Sequence, residues 1–168
     1  MSATAISGER GGSASSAVRA GAAGLIAGLV FAMWAMIVGI FTSTLWAPPQ
    51  GIAQSVGIGH PGHDFQMLPF ILGLMGHMMN SVIFGLIFLG VATVLKLRGI
   101  AAVVVGMIYG MAVYVLMYWV VLRGLLSGTS SSYLGANPEW SGVLVHLMFG
   151  AILGLLIAYG PFRRQVAS

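Results

Sequence analysis

Four runs of this chain are apolar and contain no Asp, Glu, Lys or Arg: Ala22–Leu45, Met67–Leu95, Gly99–Leu122 and Trp140–Tyr159. Crossing about 30 Å of hydrocarbon takes about 20 helical residues, so each run is long enough to span a bilayer. With 58% of its 168 residues hydrophobic and 6% charged, the chain has too little polar surface for a soluble domain of this length. The predicted fold class is therefore all-α, an integral membrane four-helix bundle.

The few charges fall in a pattern. Arg10 and Arg19 precede the first run, Lys96 and Arg98 separate the second from the third, and Arg163 and Arg164 follow the fourth. The other two connections hold Arg123, Asp64 and Glu139. Basic residues collect in cytoplasmic loops, which predicts a multi-pass protein of the inner (cytoplasmic) membrane with both termini cytoplasmic. The net charge of +4 is then a topology signal and not a nucleic-acid footprint. Residues 1–19 are rich in Gly, Ser and Ala and are expected to form a disordered cytoplasmic segment. The first run is too long for a signal-peptide core, so it is read as a retained span. Residues 20–162 form the membrane domain and 163–168 a cytoplasmic tail. There is no cysteine, which excludes disulfides, thiolate metal sites and iron–sulfur clusters.

The second and fourth runs share a register. One reads Pro69, Gly73, His77, Ser81, Gly85 and the other Pro138, Gly142, His146, Gly150, Gly154, with the same spacing throughout. The first and third runs match as well, AGLVFAM (Ala27–Met33) against VGMIYGM (Val105–Met111). Two tandem two-helix repeats follow, over about 20–95 and about 99–162, related by an axis along the membrane normal. Pro69 and Pro138 suit a first helical turn, Asn137 is placed to cap the fourth span, and Glu139 sits at its positive end. Small residues four apart share a helix face and let backbones approach, the main source of packing energy in lipid. Gly28, Gly85, Gly106 and Gly154 are therefore expected to face other helices.

Two histidines inside apolar spans need an account. Each lies eight residues after its proline, level with Tyr114 of the third span, and Asn80 is within one turn of His77. Both can be packing residues whose hydrogen bonds are met by Tyr114, Ser81, Asn80 or a backbone carbonyl. Alternatively, two imidazoles from facing helices can fill both axial positions of a b-type haem. Gly73 and Ser81 would then flank His77, and Gly142 and Gly150 would flank His146, leaving room for the macrocycle. A third reading joins His60, His63 and Asp64 of the HPGHD loop with the span histidines and Met67, Met75, Met78 or Met148 in a copper site, since imidazole and thioether suit that metal. A fourth is conduction of protons or small solutes, although no carboxylate lies within the spans to form a relay. No Ser/His/Asp pattern or phosphate-binding glycine loop is present, so no catalytic residue is assigned.

Between the first two spans, Trp46 fits an interfacial aromatic belt, Pro48 and Pro49 end the span, and QGIAQSVG is predicted to form a short helix lying on the outer surface. The corresponding SGTSSSYLGAN segment reads as polar and flexible. Taken with HMMNSVIFG and HLMFGAILG, the tryptophan-proline-proline and IAQSVG loop resembles a family of small four-span prokaryotic membrane proteins of unknown function, sometimes labelled sodium:proline symporters. The resemblance covers roughly residues 20–162. It implies the same four-helix fold, with His77, Ser81, Gly85, His146 and Gly150 as the family-like positions, and it implies no activity or cofactor. The chain is far too short for a symporter of that class. The expected role is a non-enzymatic accessory or structural subunit in the lipid bilayer, associating with itself or another membrane protein. The alternatives are haem-based electron transfer through His77 and His146, copper binding, and conduction.

Overall fold

All four apolar runs are helical, and the segments long enough to cross a membrane are Ala17–Thr42, Met67–Val94, Gly99–Leu125 and Glu139–Tyr159. This computed structural model describes the backbone of residues 3–159 and the side chains from Ala17 onward. In chain order the elements are α1 (Ala3–Thr42), α2 (Ala47–Ser55), α3 (Met67–Val94), α4 (Gly99–Tyr114), α5 (Ser131–Ala136) and α6 (Glu139–Tyr159). Between α4 and α5 the third span continues as a π-helical segment, Val115–Leu125. The chain is an all-α bundle of four membrane-length helices, with two short helices added at one end. The segment expected to be disordered, residues 1–19, overlaps α1, which runs from Ala3. Residues 1–2, the side chains of 3–16 and residues 160–168, with the expected tail at 163–168, lie outside the described residues.

Packing follows the small residues. α1 packs on α3, and α4 packs on α6. A Cβ on Gly28 would strike the Ser81 side chain, and one on Gly85 would meet the backbone of Ala20 and Gly24. In the other pair, a Cβ on Gly106 would strike the Gly150 carbonyl, and one on Gly154 the Ala102 carbonyl. These crossings fall at matching positions of the register: Gly28 with Gly106, Ser81 with Gly150, Gly85 with Gly154. The two pairs are joined by α1 lying along α6, where Trp34 Nε1 donates to Ser141 Oγ at 3.0 Å. Phe88, Leu153, Ala27 and Ala102 are fully enclosed in the shared core. The fourth side of the bundle is different. There α3 scarcely touches α4 or the π-helical segment, and Tyr109 Oη bridges the gap by donating to Phe84 O at 2.8 Å.

The end that carries α2 and α5 corrects two expectations. The short helix does not lie on the surface. It starts at Ala47, takes Pro48 and Pro49 into its first turn, and buries both prolines with Gln50, Gly51, Ala53, Gln54 and Ser55. Proline is tolerated there because a first-turn N–H has no helical partner. α2 crosses α3 at Gly73, where a Cβ would strike the Pro49 carbonyl. Its buried amides are satisfied: Gln50 Nε2 donates to Asp64 O (3.1 Å), Gln50 Oε1 accepts from the Gln66 N–H (2.7 Å), and Gln54 Nε2 donates to His60 O (2.8 Å). Burial of those polar groups is stable because each finds a partner.

The SGTSSSYLGAN segment is likewise folded rather than flexible. It contains α5, and Ser130, Ala136 and Asn137 are buried. Hydroxyl hydrogen bonds to three other elements hold it: Ser130 Oγ donates to Leu122 O (2.8 Å), Thr129 Oγ1 to Ser55 O (2.6 Å) and Thr42 Oγ1 to Ala136 O (2.7 Å). Asn137 does not cap α6 with its side chain. Its amide donates to Tyr133 O at 3.3 Å, closing α5, while the Pro138 carbonyl accepts the Ser141 and Gly142 N–H groups at 2.9 and 3.2 Å.

Candidate binding cavity

His77 on α3 and His146 on α6 face the same interior space, and backbone carbonyls hold both rings. His77 Nε2 lies 2.9 Å from Gly28 O on α1, and His146 Nδ1 lies 2.7 Å from Gly142 O one turn back on α6. A carbonyl can only accept, so these two nitrogens carry the ring protons. In each neutral imidazole the other nitrogen, His77 Nδ1 and His146 Nε2, is then a lone-pair acceptor. Phe31 of α1 stands against both rings, with centroids 4.8 Å from His77 and 4.7 Å from His146.

Around this trio is a cavity of about 210 Å³. Apolar side chains make most of its wall, including Phe31, Phe84, Val113, Met117, Val145 and Phe149. His77, Asn80, Ser81, Tyr118, Asn137, Ser141 and His146 supply polar groups. Residues of α3 and of the π-helical segment line it without packing on each other, so the cavity lies behind the unsealed side of the bundle. Residues of α2 and α5, including Ile52, Ser55 and Tyr133, line it as well. Runs of π-helix are rare beyond a single turn and recur at functional sites. Here Met117, Tyr118, Val121 and Leu122 of that segment face the cavity.

The positions expected to make a haem slot are occupied by protein. Pro49 O of α2 lies against Gly73, Gly28 of α1 against Ser81, Gly106 of α4 against Gly150, and the Tyr114 ring 3.2 Å from a Cβ built on Gly142. With Phe31 packed on both rings as well, the arrangement does not fit a macrocycle bridging His77 and His146. Tyr114 does not bond either histidine. Its hydroxyl donates to Glu139 Oε1 at 3.3 Å, and its ring stacks on Tyr118. The copper grouping does not converge either. His60 Nε2 is 3.8 Å from Asp64 Oδ2, while His63 turns to Ser43 Oγ at 3.3 Å, and all three loop residues are exposed. Among the described residues no three His, Cys, Asp or Glu side chains are placed to hold a metal.

Phe31, Ser141 and Tyr118 are cavity residues that the sequence did not single out. For Phe31 a signal existed: in the match of AGLVFAM to VGMIYGM it pairs with Tyr109, an aromatic position on both copies. Ser141 and Tyr118 carry no such mark, because their placement depends on how α6 and the π-helical segment are turned toward the interior.

No family model matches the chain, and no curated protein or solved structure matches it either. Fold and site together define a class: a helical protein with four membrane-length helices enclosing an internal cavity that carries two histidines.

Proposed function

We propose that this is a non-enzymatic accessory protein of the cytoplasmic membrane that holds a small lipophilic molecule in its cavity. One observation carries the reading: about 210 Å³ of mostly apolar space, with a few placed polar groups, lies inside the bundle beside its unsealed α3 side. Small-molecule sites have this character, concave and apolar with few polar contacts. An apolar cavity of about 150 Å³ accepts benzene, so the space here suits a substituted single ring. The bilayer itself supplies such molecules through the gap beside α3.

The orientation that fits this role puts α2, α5, His60 and Glu139 on the outer side. Arg19, Lys96 and Arg98 cluster at the opposite end of the spans, which favours cytoplasmic termini. The matched glycine crossings support two tandem copies of one helix pair. The likeness to the four-span prokaryotic family agrees in fold and adds no activity.

Toluene tests the cavity. It should raise the thermal stability of the purified protein in detergent, and Met117→Trp, which fills the cavity from the π-helical segment, should abolish that gain. Equal stabilisation of the two proteins would refute the reading.

Association with a second copy or another membrane protein is favoured by Gly76 and Gly90 of α3. A Cβ at either meets nothing within 4 Å, so two glycines stand where a neighbouring helix can approach closely. The chain has no cysteine, so Gly76→Cys gives a single-site crosslinker in native membranes. Absence of any adduct there would remove the association reading.

A further inference from the structure

The hydrogen bonds of the two histidines say more about the occupant than the cavity's size does. Each ring donates its only proton to a backbone carbonyl, at 2.9 Å for His77 and 2.7 Å for His146. The second nitrogen of each has no hydrogen-bond partner among the described residues. Among the described residues, Thr44 Oγ1 is the fully buried side-chain N or O atom left without a hydrogen bond. His77 Nδ1 and His146 Nε2 are therefore not sealed in protein; both residues line the cavity, and His77 also borders a smaller space beside α2. A cation at either ring would lack a counter-ion, since the described carboxylates are Asp64 in the outer loop and Glu139, which bonds Tyr114. Unpaired charge inside a span is expensive, so both rings are neutral acceptors.

We infer that the occupant is a neutral, ring-sized lipophile bearing hydroxyl donors, of the phenol or quinol class, whose O–H groups donate to His77 Nδ1 and His146 Nε2. This rests on the cavity reading above. The lone pairs call for donors, and the described residues supply none to them. Two histidines without a third His, Cys, Asp or Glu make a poor metal site, which leaves O–H or N–H groups of a ligand. Charged amines are disfavoured by the same lack of carboxylates. Asn80, whose side chain makes no hydrogen bond among the described residues, and the Ser141 hydroxyl, which already accepts from Trp34 Nε1 and keeps its own proton, line the same space. They can satisfy the acceptor side of the ligand's hydroxyl oxygens.

The test compares two probes of the same ring, tert-butylhydroquinone and its dimethyl ether, titrated into the protein in nanodiscs with Trp fluorescence as readout. Trp34 is bonded to a cavity residue and serves as the reporter. The diol should bind about tenfold or more tightly than the ether, as expected when a buried acceptor pair is left unmatched. His146→Phe keeps a ring there and removes the acceptor, so within that variant the ratio of diol to ether affinity should fall toward one. The probe comparison on the unaltered protein stands even if this variant folds poorly. If the diol and ether bind equally, the cavity reading survives and the donor inference is overturned. A diol preference that persists in both His146→Phe and His77→Phe overturns it too, placing the donors elsewhere. If neither probe binds, the cavity reading itself fails.

Discussion

Gly150→Ala adds one methyl group at the place where α4 and α6 come closest. That Cβ would strike the Gly106 carbonyl oxygen and lie 2.6 Å from its carbon and 3.0 Å from Gly110 N. Unstrained carbon contacts lie at about 3.5–4.0 Å, so the helices must separate by about 1 Å. The obstacle is backbone on a partner helix, which cannot rotate aside as a side chain can. A gap of about 0.5–1 Å forfeits a quarter to a half of each dispersion contact along the seam, and overpacking typically costs about 1–3 kcal/mol. The upper half of that range is expected here, equivalent to a roughly thirtyfold to 150-fold loss in the folding equilibrium. Gly76→Ala is the internal control, since a Cβ there meets nothing within 4 Å. Reversible unfolding in mixed micelles reads the difference. Gly106→Ala relieves nothing when added to Gly150→Ala, so the pair should be less than additive, as neighbours sharing one contact are. If Gly150→Ala and Gly76→Ala unfold alike, close backbone approach is not what holds α4 to α6.

Other consequences are smaller but specific. The Trp34–Ser141 hydrogen bond joins the two helix pairs, and a double-mutant cycle of Trp34→Phe with Ser141→Ala should give a coupling of about 0.6 kcal/mol. A coupling of zero would mean that bond does not join them in the bilayer. Lys96 ends α3 at φ 50°, with the Leu97 N–H on Ala92 O at 2.9 Å and its own N–H on Thr93 O at 3.2 Å. That helix-terminal motif favours glycine, so Lys96→Gly should stabilise the turn by up to about 1 kcal/mol, seen as a higher midpoint in the same unfolding assay. A lower midpoint would show that the lysine charge at the helix end matters more. Burial and the neighbouring Tyr118 push the Tyr133 phenol up to about 12. The unfolded chain ionises it near pH 10, so stability should fall as pH rises from about 10 to about 12, and Tyr133→Phe should make that fall shallower. An unchanged pH profile in the variant would remove that assignment. Reporter fusions at Gly128 and at the C-terminus should localise to opposite sides of the membrane, and matching signals would overturn the proposed orientation.

What the sequence determines by itself is what lipid demands of every segment separately. Uncharged runs of membrane length must be helices; the second, third and fourth begin and end within a few residues of the composition boundaries, while α1 extends well ahead of its apolar run. The glycine positions were legible for the same reason: a small residue repeated every fourth position marks a face that backbone can approach, and Gly28, Gly85, Gly106 and Gly154 all meet a neighbouring helix. The interior placement of His77 and His146 was legible too, since an imidazole in a span needs a polar partner.

Tertiary structure alone decides who that partner is. Equal spacing gives the two histidines one register, yet His77 bonds a carbonyl of α1 and His146 one of its own helix, because Ser81 and Gly150 shape the two crossings differently. The same holds for α2 and α5. Locally they read as a surface helix and a polar loop, and only long-range bonds, such as Gln50 to Asp64, Thr129 to Ser55 and Thr42 to Ala136, make burying them stable. The cavity belongs wholly to this level. It exists because α1 and α6 close three sides of the bundle while α3 and the π-helical segment leave the fourth unsealed, and no single helix carries that instruction.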